Sequence, residues 1–203
     1  MTETFRYERK LYFPDSYPEE LIGLIKTNQY GFSERYKERR VNSIYYETAS
    51  MDSYFDNENG HGNRVKFRTR WYGDNPTPNK DSVHELKFKN GFTGYKIRES
   101  VKKESLYLSH IMKITKPILK VSYLRRYFES FDGKIRMTID RDIIYEGLQN
   151  DASRKIPVVE KGCVVEIKYN PDYDATVSKI LSGFGHRIDK FSKYSRGVKY
   201  CYR

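Results

Sequence analysis

One segment of the chain, Asn63–Trp71, places positive charge on one side of a strand and mostly apolar side chains on the other. Successive side chains of a β-strand point to opposite faces, so alternate residues share a face. The basic residues of one parity are Arg64, Lys66, Arg68 and Arg70. The other parity carries Val65, Phe67, Thr69 and Trp71. Such a strand must bury one face, and its other face favours a polyanionic partner.

The same division between apolar and charged faces recurs along the chain. Alternation predicts eight strands, which cover Phe5–Phe13, Val41–Tyr46, Asn63–Trp71, Val83–Lys89, Gly94–Glu99, Val121–Glu129, Lys134–Arg141 and Cys163–Tyr169. Asn90-Gly91 and Asp132-Gly133 are short turn sequences that predict hairpins between neighbouring strands. The middle of the chain is therefore predicted to be an antiparallel sheet.

Helical spacing of apolar residues predicts three helices, over Pro18–Asn28, Ser105–Lys116 and Asn170–Ser182. Pro18 suits the first turn of its helix, because the missing amide hydrogen is not needed there. Pro117 stops the second helix. Asn170 is the expected N-cap of the third, since its side chain can accept a hydrogen bond from a free backbone amide.

Composition narrows the function classes. The chain has 203 residues and a net charge of +11, and 15% of its residues are aromatic, which indicates a single globular domain over residues 1–203 with an anionic partner. No apolar run approaches the ~20 residues that span a bilayer, and the N-terminus lacks the apolar region of a secretory signal. We therefore expect a cytoplasmic protein. The sequence contains no nucleic-acid-binding motif, so no nucleic acid partner is expected.

The crowding of charge on one face has an energetic consequence. If the sheet curls into a barrel, the charged parity lines its inside, and two like charges ~6 Å apart at an effective dielectric of ~20 repel by roughly 3 kcal/mol. A polyphosphate threaded among the cations would turn that repulsion into charge-assisted binding. Three of the few acids on these faces are Glu8, Glu85 and Glu166. They are either internal ion-pair partners or ligands to a hard divalent cation, and Glu166 is the better metal candidate because its strand has few other acids.

A set of motifs in order along nearly the whole chain resembles the VTC domain, the polyphosphate polymerase branch of the triphosphate tunnel metalloenzymes. The motifs are RYERKLYF, VNSIYYETASMDSYFDNENG, RVKFRTRWYG, HELKFKNGFTGYKIRES, VSYLRRYF, KIRMTID, CVVEIKYNP and DKFSKYSRG. The basic pair before Trp71-Tyr72-Gly73 and the closing Ser192-Lys193-Tyr194 are the more specific pieces.

The resemblance implies an α+β fold, an eight-stranded antiparallel β-barrel that forms a tunnel, with helices packed on its outside. It implies that the side chains neutralising the transferred phosphoryl group are Arg68, Arg70, Arg136 and Lys193. The expected phosphate-binding residues are Lys10, Lys66, Lys87, Lys96, Tyr123, Arg125, Lys190 and Ser192. Glu166 matches the family's metal-binding carboxylate, and Glu8 is the second candidate ligand for Mn²⁺ or Mg²⁺.

Three functions agree with such a tunnel. The first is a polymerase that moves the terminal phosphoryl group of ATP to a growing polyphosphate chain. The second is a tripolyphosphatase or nucleoside triphosphatase with Glu8 or Glu85 orienting water, and the third is a non-catalytic polyphosphate-binding module. Arg6 replaces the first glutamate of the superfamily's E-x-E-x-K pattern, which weighs against hydrolysis because a ligand for a second, water-activating metal is lost.

The expected partners are ATP and inorganic triphosphate or polyphosphate. The resemblance does not extend to the regulatory domain and membrane helices of the fungal complex. A separate membrane subunit is therefore the expected partner if synthesis is coupled to translocation.

Overall fold

A computed structural model describes residues 7–90, 93–103, 105–149 and 156–202. The Gly91 half of the predicted Asn90-Gly91 turn lies outside the described residues. So do Phe5 and Arg6, at the start of the first predicted strand.

Within this part of the chain, the fold contains nine strands and five α-helices. The strands are β1 (Tyr7–Phe13), β2 (Ser33–Glu47), β3 (Asn63–Tyr72), β4 (Val83–Asn90), β5 (Thr93–Ser100), β6 (Lys116–Glu129), β7 (Ile135–Gly147), β8 (Val158–Glu160) and β9 (Cys163–Tyr169). The helices are α1 (Pro18–Lys26), α2 (Asp52–Glu58), α3 (Leu106–Ile114), α4 (Asp174–Ser182) and α5 (Lys193–Tyr202). A 3₁₀ turn, Pro171–Tyr173, precedes α4.

The strands form a sheet with the hydrogen-bonded order β1-β9-β7-β6-β2-β3-β4-β5, and β8 pairs with β7. The pairs β1/β9, β9/β7, β2/β3, β3/β4 and β4/β5 are antiparallel. The predicted α+β class and antiparallel sheet are confirmed. The strand count differs from the predicted eight because β8 is only three residues long, too short for alternation to reveal it.

The predicted closure of the sheet into a barrel is corrected on one point. Among the described residues, the order of paired strands ends at β1 and at β5, so hydrogen bonds do not close the sheet. Alternation along a strand determines which side chains share a face, but it carries no information about which edges pair. The sequence could therefore predict the faces and not the pairing of the end strands.

The chain divides into two compact units. The first comprises Met1–Arg39, Tyr123–Ile143 and Glu160–Phe191, and the second comprises Arg40–Ser122, Ile144–Val159 and Ser192–Arg203. Strands β2, β6, β7 and β8 contribute residues to both. The prediction of one domain over residues 1–203 stays a prediction.

The core of the first unit forms between the apolar faces of β1, β7 and β9 and two helices. Its buried members include Leu11, Phe13, Leu21, Ile25, Met137, Ile139, Val165, Ile167, Val177 and Ile180. Pro18 occupies the first turn of α1, as predicted. The Oδ1 atom of Asn170 accepts a hydrogen bond from the backbone amide of Asp172 at 3.2 Å, so the predicted N-cap is confirmed at the 3₁₀ turn before α4.

The second unit has a smaller cluster in which α3 packs on β3 and β4. Its buried members are Phe67, Leu86 and Leu108. The Oγ of Ser105 caps α3 by accepting from the amide of Leu108 at 3.3 Å. The helix ends at Ile114, two residues before its predicted end at Lys116, because a residue that precedes proline is pushed into extended backbone.

Helices α2 and α5 were not predicted, and α5 shows why. Its buried stripe consists of Tyr194, Ser195, Gly197, Val198 and Cys201, so polar and small residues interrupt the apolar pattern. A Cβ atom at Gly197 would lie 2.6 Å from a Leu119 methyl carbon and 2.7 Å from the Tyr145 ring. Close approach of α5 to these side chains therefore requires glycine.

No helix in the described ranges is both long enough and apolar enough to cross a membrane.

The buried face of β3 gives a prediction of stability. Phe67 is 4% exposed and stacks on Tyr46 with ring centroids 4.6 Å apart, whereas Val65, on the same face, is 40% exposed. Phe67→Ala should lower the free energy of unfolding by about 3 kcal/mol or more, because it leaves a cavity. Val65→Ala, the matched control, should change it by only about 0.5 kcal/mol. Urea unfolding followed by circular dichroism measures both, and equal effects would contradict the assignment of the buried face.

Candidate functional site

The two faces of β3 behave as the alternation predicts. Phe67, Thr69 and Trp71 are buried. The basic residues of the opposite parity, Arg64, Lys66, Arg68 and Arg70, are each partly buried. Partly buried cations keep their charges only where counter-charges or hydrogen-bond acceptors surround them. Partly buried cations and their counter-charges form two clusters, one in each unit, and the cluster of the second unit contains Arg68 and Arg70 of β3.

The first is the Glu85 cluster, in the second unit. It comprises Arg68 and Arg70 of β3, Glu85 of β4, and Lys96 and Arg98 of β5. Arg68 and Arg98 lie opposite Glu85 on the neighbouring strands. The carboxylate oxygens of Glu85 lie 2.7 Å from Arg68 Nε, 2.9 Å from Lys96 Nζ, 2.8 Å from Arg98 Nε and 3.9 Å from Arg70 Nη1. Four cations thus surround one carboxylate that is only 3% exposed, so the cluster carries an excess of positive charge.

The burial of this cluster changes two pKa values. Burial alone would raise the pKa of Glu85, but the charges of Arg68, Arg70 and Lys96 hold it well below its usual range, and the carboxylate is ionised. Burial lowers the pKa of Lys96 to about 8, and the attraction of Glu85 only partly opposes this. The Lys96 ammonium is therefore the cation of this cluster that rising pH removes first.

Two residues that the sequence analysis missed support the guanidinium groups of β3. Arg68 Nη1 donates to the hydroxyl of Tyr45 at 3.1 Å, and Arg70 Nε donates to Ser43 Oγ at 3.2 Å. Each acceptor lies directly opposite its arginine on β2. Burial favours the neutral phenol of Tyr45, yet the charges of Arg68 and Arg70 lower its pKa below the usual value. Only the β2/β3 register, which the sequence does not give, could have identified them.

The start of α5 brings further predicted residues into the second unit. Lys193 begins this helix, and its charge also lowers the pKa of Tyr45. Tyr194, which is buried, donates a hydrogen bond to the carboxylate of Glu47, and its ring centroid lies 5.0 Å from that of Tyr45. Lys66 Nζ lies 4.9 Å from the centroid of the Tyr194 ring. Tyr194 and Glu47 therefore orient this helix start, and neither was among the predicted site residues.

Two serine hydroxyls lie at the start of α5, one on Ser192 just before the helix and one on Ser195 in its first turn. Ser192 Oγ lies 3.3 Å from Ser195 Oγ, and Asn57 donates to Ser195 at 2.5 Å. The same amide accepts from Lys66 Nζ at 3.0 Å through its oxygen. Lys66, Ser192 and Lys193 thus lie near the start of α5, and their predicted contacts with phosphate stay predictions.

The second is the Glu166 cluster, in the first unit. Its members lie on adjacent strands: Glu8 and Lys10 of β1, and Glu166 and Lys168 of β9. Lys10 Nζ lies 2.9 Å from Glu8 Oε1 and 3.9 Å from Glu166 Oε2. Lys168 Nζ forms ion pairs with both carboxylates. The two acids predicted as metal ligands are therefore held beside the same two ammonium groups.

Arg125 of β6 joins this cluster through an acid whose role the sequence did not reveal. Its Nε and Nη2 donate to the two oxygens of Asp140 at 2.5 and 2.7 Å, and Asp140 is fully buried. Arg125 Nη2 also lies 3.9 Å from Glu166 Oε2. Burial opposes the charge of Arg125, but Asp140 more than offsets this and raises the pKa of the guanidinium. The bidentate pair fixes Arg125, whose Cζ lies 5.2 Å from the ring centroid of Tyr123.

The donor atoms of the Glu166 cluster fit a hard divalent cation. Carboxylate oxygens are the ligands that Mg²⁺ and Mn²⁺ prefer. Thr138 lies opposite Glu166 in the β7/β9 register, and its buried hydroxyl has no hydrogen-bond partner among the described residues. Residues 7–90, 93–103, 105–149 and 156–202 contain no group of three or more His, Cys, Asp or Glu that could hold a metal ion. A cation here would therefore take Glu166 and Glu8 and complete its coordination with ligand oxygens, as Mg²⁺ often does.

The remaining predicted residues are more exposed. Arg136 of β7 is 48% exposed, and its Nε donates to Glu129 Oε1 at 2.8 Å. Lys87 is exposed and lies between Lys66 and Lys96 in the strand register. Lys190 is exposed in the segment before α5. Their predicted roles in binding or transfer stay predictions.

Comparison with protein families gives one match that covers most of the chain. The model described as VTC domain matches residues 5–111 and 104–202. No curated protein matches the chain.

Solved structures with a similar fold exist at low identity. A candidate adenylate cyclase from Vibrio parahaemolyticus is 12% identical with a TM-score of 0.59, and the match covers 98% of this chain and 99% of that one. The PH1819 protein from Pyrococcus horikoshii OT3 is 17% identical with a TM-score of 0.56, covering 95% and 96%. HpAC1 from Hippeastrum, a candidate adenylyl cyclase with a dominant triphosphatase activity, is 14% identical with a TM-score of 0.53, covering 95% and 94%. These similarities establish the fold.

The lowered pKa of Lys96 predicts a pH-dependent stability. In the unfolded chain Lys96 has its ordinary pKa of 10.5, and in the fold about 8. Between these values the unfolded state binds more protons, so this residue makes the free energy of unfolding rise with pH from about 8 to 10.5. Denaturant unfolding at several pH values should show that Lys96→Met loses this rise. The control Lys113→Met, on an exposed position of α3, should keep it; a rise unaffected by Lys96→Met would contradict the burial of this ammonium.

Two neighbouring arginines test the buried ion pair of the first unit. Arg125→Met leaves the buried Asp140 without its bidentate partner and should lower the free energy of unfolding by about 3–5 kcal/mol. Arg126→Met removes a more exposed pair with Glu34 and should lower it by about 1 kcal/mol or less. Chemical denaturation of both variants makes the comparison. Similar losses would mean that Asp140 is not held by Arg125.

Proposed function

Because the chain belongs to the VTC domain family of the triphosphate tunnel metalloenzymes, we propose that it is a polyphosphate polymerase that transfers the terminal phosphoryl group of ATP to a growing phosphate chain. The observation that carries the proposal is the Glu85 cluster. Four cationic side chains surround one buried carboxylate, so the cluster keeps a net positive charge. A polyanion can bind to that excess charge.

Two arginines of the Glu85 cluster are already oriented to donate hydrogen bonds to a phosphate. Arg68 and Arg70 are held by Tyr45 and Ser43, so their guanidinium groups are oriented before a ligand arrives. A preorganised donor stabilises charge that develops during reaction without having to reorganise. Phosphoryl transfer depends mainly on such positioning and charge neutralisation.

In the proposed reaction, a terminal oxygen of the chain attacks the γ-phosphorus of ATP. The bond from this phosphorus to the β–γ bridging oxygen breaks, and ADP leaves. The attacking oxygen is already ionised, so no general base is needed. Arg68, Arg70 and Lys193, all in the second unit, neutralise the oxygens of the transferred group, and the phosphate-binding residues of that unit, Lys66, Lys96 and Ser192 among them, hold the phosphates. The role predicted for Arg136 stays a prediction.

Glu166 and Glu8 would hold Mn²⁺ or Mg²⁺, and the bound cation would neutralise charge on the phosphate oxygens it contacts. The buried hydroxyl of Thr138, which lies opposite Glu166 and has no hydrogen-bond partner in the part of the chain that the structure describes, supports ligand oxygens at this position.

Hydrolysis in the same site is the alternative, since HpAC1, a structure of similar fold, has a dominant triphosphatase activity. The two carboxylates available to orient water are poorly suited to it. The charges of Arg68, Arg70 and Lys96 lower the pKa of Glu85 against the effect of burial, which makes it a weak base. Glu8 forms ion pairs with Lys10 and Lys168. Polymerisation, which needs no base, agrees better with these contacts.

The direct test is incubation of the protein with ATP and Mn²⁺ and separation of the products on a gel. A polymerase gives a ladder of long phosphate chains. Release of orthophosphate alone, abolished by Glu8→Gln, would establish the hydrolase instead. Tight polyphosphate binding without nucleotide consumption would establish a binding module.

Arg68→Met should lower the rate of chain synthesis at least about a hundredfold, because it removes a preorganised donor to the transferred phosphoryl group. Lys113→Met, which removes an exposed charge on α3, should leave the rate unchanged. Equal rates for the two variants would exclude the Glu85 cluster from the reaction.

A further inference from the structure

A stack of alternating tyrosines and arginines lies in the first unit and is not explained by phosphate binding. We call it the tyrosine–arginine ladder: Tyr36 and Arg39 of β2, with Tyr123, Arg125 and Tyr127 of β6. The Arg125 Cζ lies 5.2 Å from the Tyr123 ring centroid and 6.0 Å from that of Tyr127. The Arg39 Cζ lies 4.7 Å from the Tyr127 centroid and 5.3 Å from that of Tyr36. Successive members therefore stay within 6.0 Å of each other, from a predicted phosphate contact to the surface.

The two ends of the ladder differ in exposure. Tyr123 is 3% exposed, and the Arg125 side chain is 11% exposed. Tyr36, at the other end, is 48% exposed. The ladder thus presents an aromatic ring to solvent at one end and a buried guanidinium at the other.

Both guanidinium groups of the ladder donate hydrogen bonds within the protein. Arg125 donates through Nε and Nη2 to Asp140, and Arg39 donates through Nε to the Tyr127 hydroxyl at 3.2 Å. A phosphate binds through hydrogen bonds to such N–H groups. A planar aromatic ligand binds through its faces, and the half-exposed ring of Tyr36 lies near two flat guanidinium groups, with its centroid 5.6 Å from Arg35 Cζ and 5.3 Å from Arg39 Cζ.

The surroundings of Tyr36 are positively charged. Arg35 donates through Nε to the Tyr36 hydroxyl at 3.0 Å and also pairs with Glu129. The hydrogen bond and charge of Arg35, with smaller contributions from Arg136 and Arg39, lower the pKa of the Tyr36 phenol. An aromatic ligand that also carries phosphates fits this environment better than a neutral one.

We propose that the exposed end of the ladder binds the base of a nucleoside triphosphate by stacking on Tyr36 and Arg39, with the phosphates directed along the ladder toward the Glu166 cluster of the same unit. The proposal rests on the proposed function, in which ATP is the phosphoryl donor, and assigns the part of the site that recognises the nucleoside. Stacking grows with ring area, so a purine binds more tightly here than a pyrimidine.

The test compares two probes that share phosphates and differ in the base. Isothermal titration calorimetry of the full chain, without divalent cation, gives the dissociation constants of ATP and of inorganic triphosphate. Tyr36→Ala should weaken ATP binding about fivefold or more and leave triphosphate binding unchanged, because only a base stacks. Arg39→Lys keeps the charge but loses the planar face, and it should show the same selective loss. Tyr107→Ala, at another exposed tyrosine outside the ladder, is the matched control and should change neither constant.

The outcomes separate this inference from the function. Equal losses for ATP and triphosphate in Tyr36→Ala would overturn the proposal and make the ladder a phosphate contact. No loss for either probe would also overturn it. If the wild-type protein makes no phosphate chains yet Tyr36→Ala weakens only ATP, the base site stands and the polymerase assignment fails. Unchanged triphosphate binding also shows that the variants are folded.

Discussion

The pairing of a few buried carboxylates with many cations is the interaction on which the charged faces of this protein depend. Glu85 and Asp140 are each almost completely buried, and each anchors guanidinium groups from neighbouring strands. Without them, the basic parity of the strands would bring like charges together with no counter-charge, at a cost of several kcal/mol. The two acids differ in how much positive charge remains unneutralised around them. Asp140 is matched by Arg125, whereas Glu85 is outnumbered by its cations.

This difference links stability to function. A matched pair positions a side chain, and an outnumbered acid maintains a surplus of positive charge that a polyanion can neutralise. The surplus is costly in the ligand-free fold. Burial is the main cause of the lowered pKa of Lys96; the charges of Arg68 and Arg98 add to this effect, and Glu85 opposes it. Proteins commonly accept such local instability at binding sites, where the ligand supplies the missing partner.

The local sequence predicts much of how the buried and charged side chains are arranged. The alternation around Phe67 and Trp71 predicts which face of β3 is buried, and the same alternation places Arg68 and Arg70 together. The family motifs add Glu166, which they predict to be a metal-binding carboxylate, and the residues at the start of α5. Both the alternation and the motifs are properties of short segments, so they can be recognised without knowing the fold.

What the sequence could not predict depends on register and close packing. Tyr45 supports Arg68 only because β2 and β3 align those two positions, and Asp140 pairs with Arg125 across fifteen residues of chain. Helix α5 was missed because Gly197 serves close packing instead of an apolar pattern. The tyrosine–arginine ladder likewise combines residues of β2 and β6, so the sequence of either strand alone does not predict it.

The most direct measurement of the central claim is the rate at which an amine-reactive reagent modifies each lysine, read by mass spectrometry with and without polyphosphate. Lys96, with its pKa of about 8, should react readily in the free protein and become protected when polyphosphate binds. Lys113, on α3, should react equally in both conditions. If polyphosphate leaves the modification of Lys96 unchanged, the Glu85 cluster is not the polyanion site, and its surplus of positive charge does not serve phosphate binding.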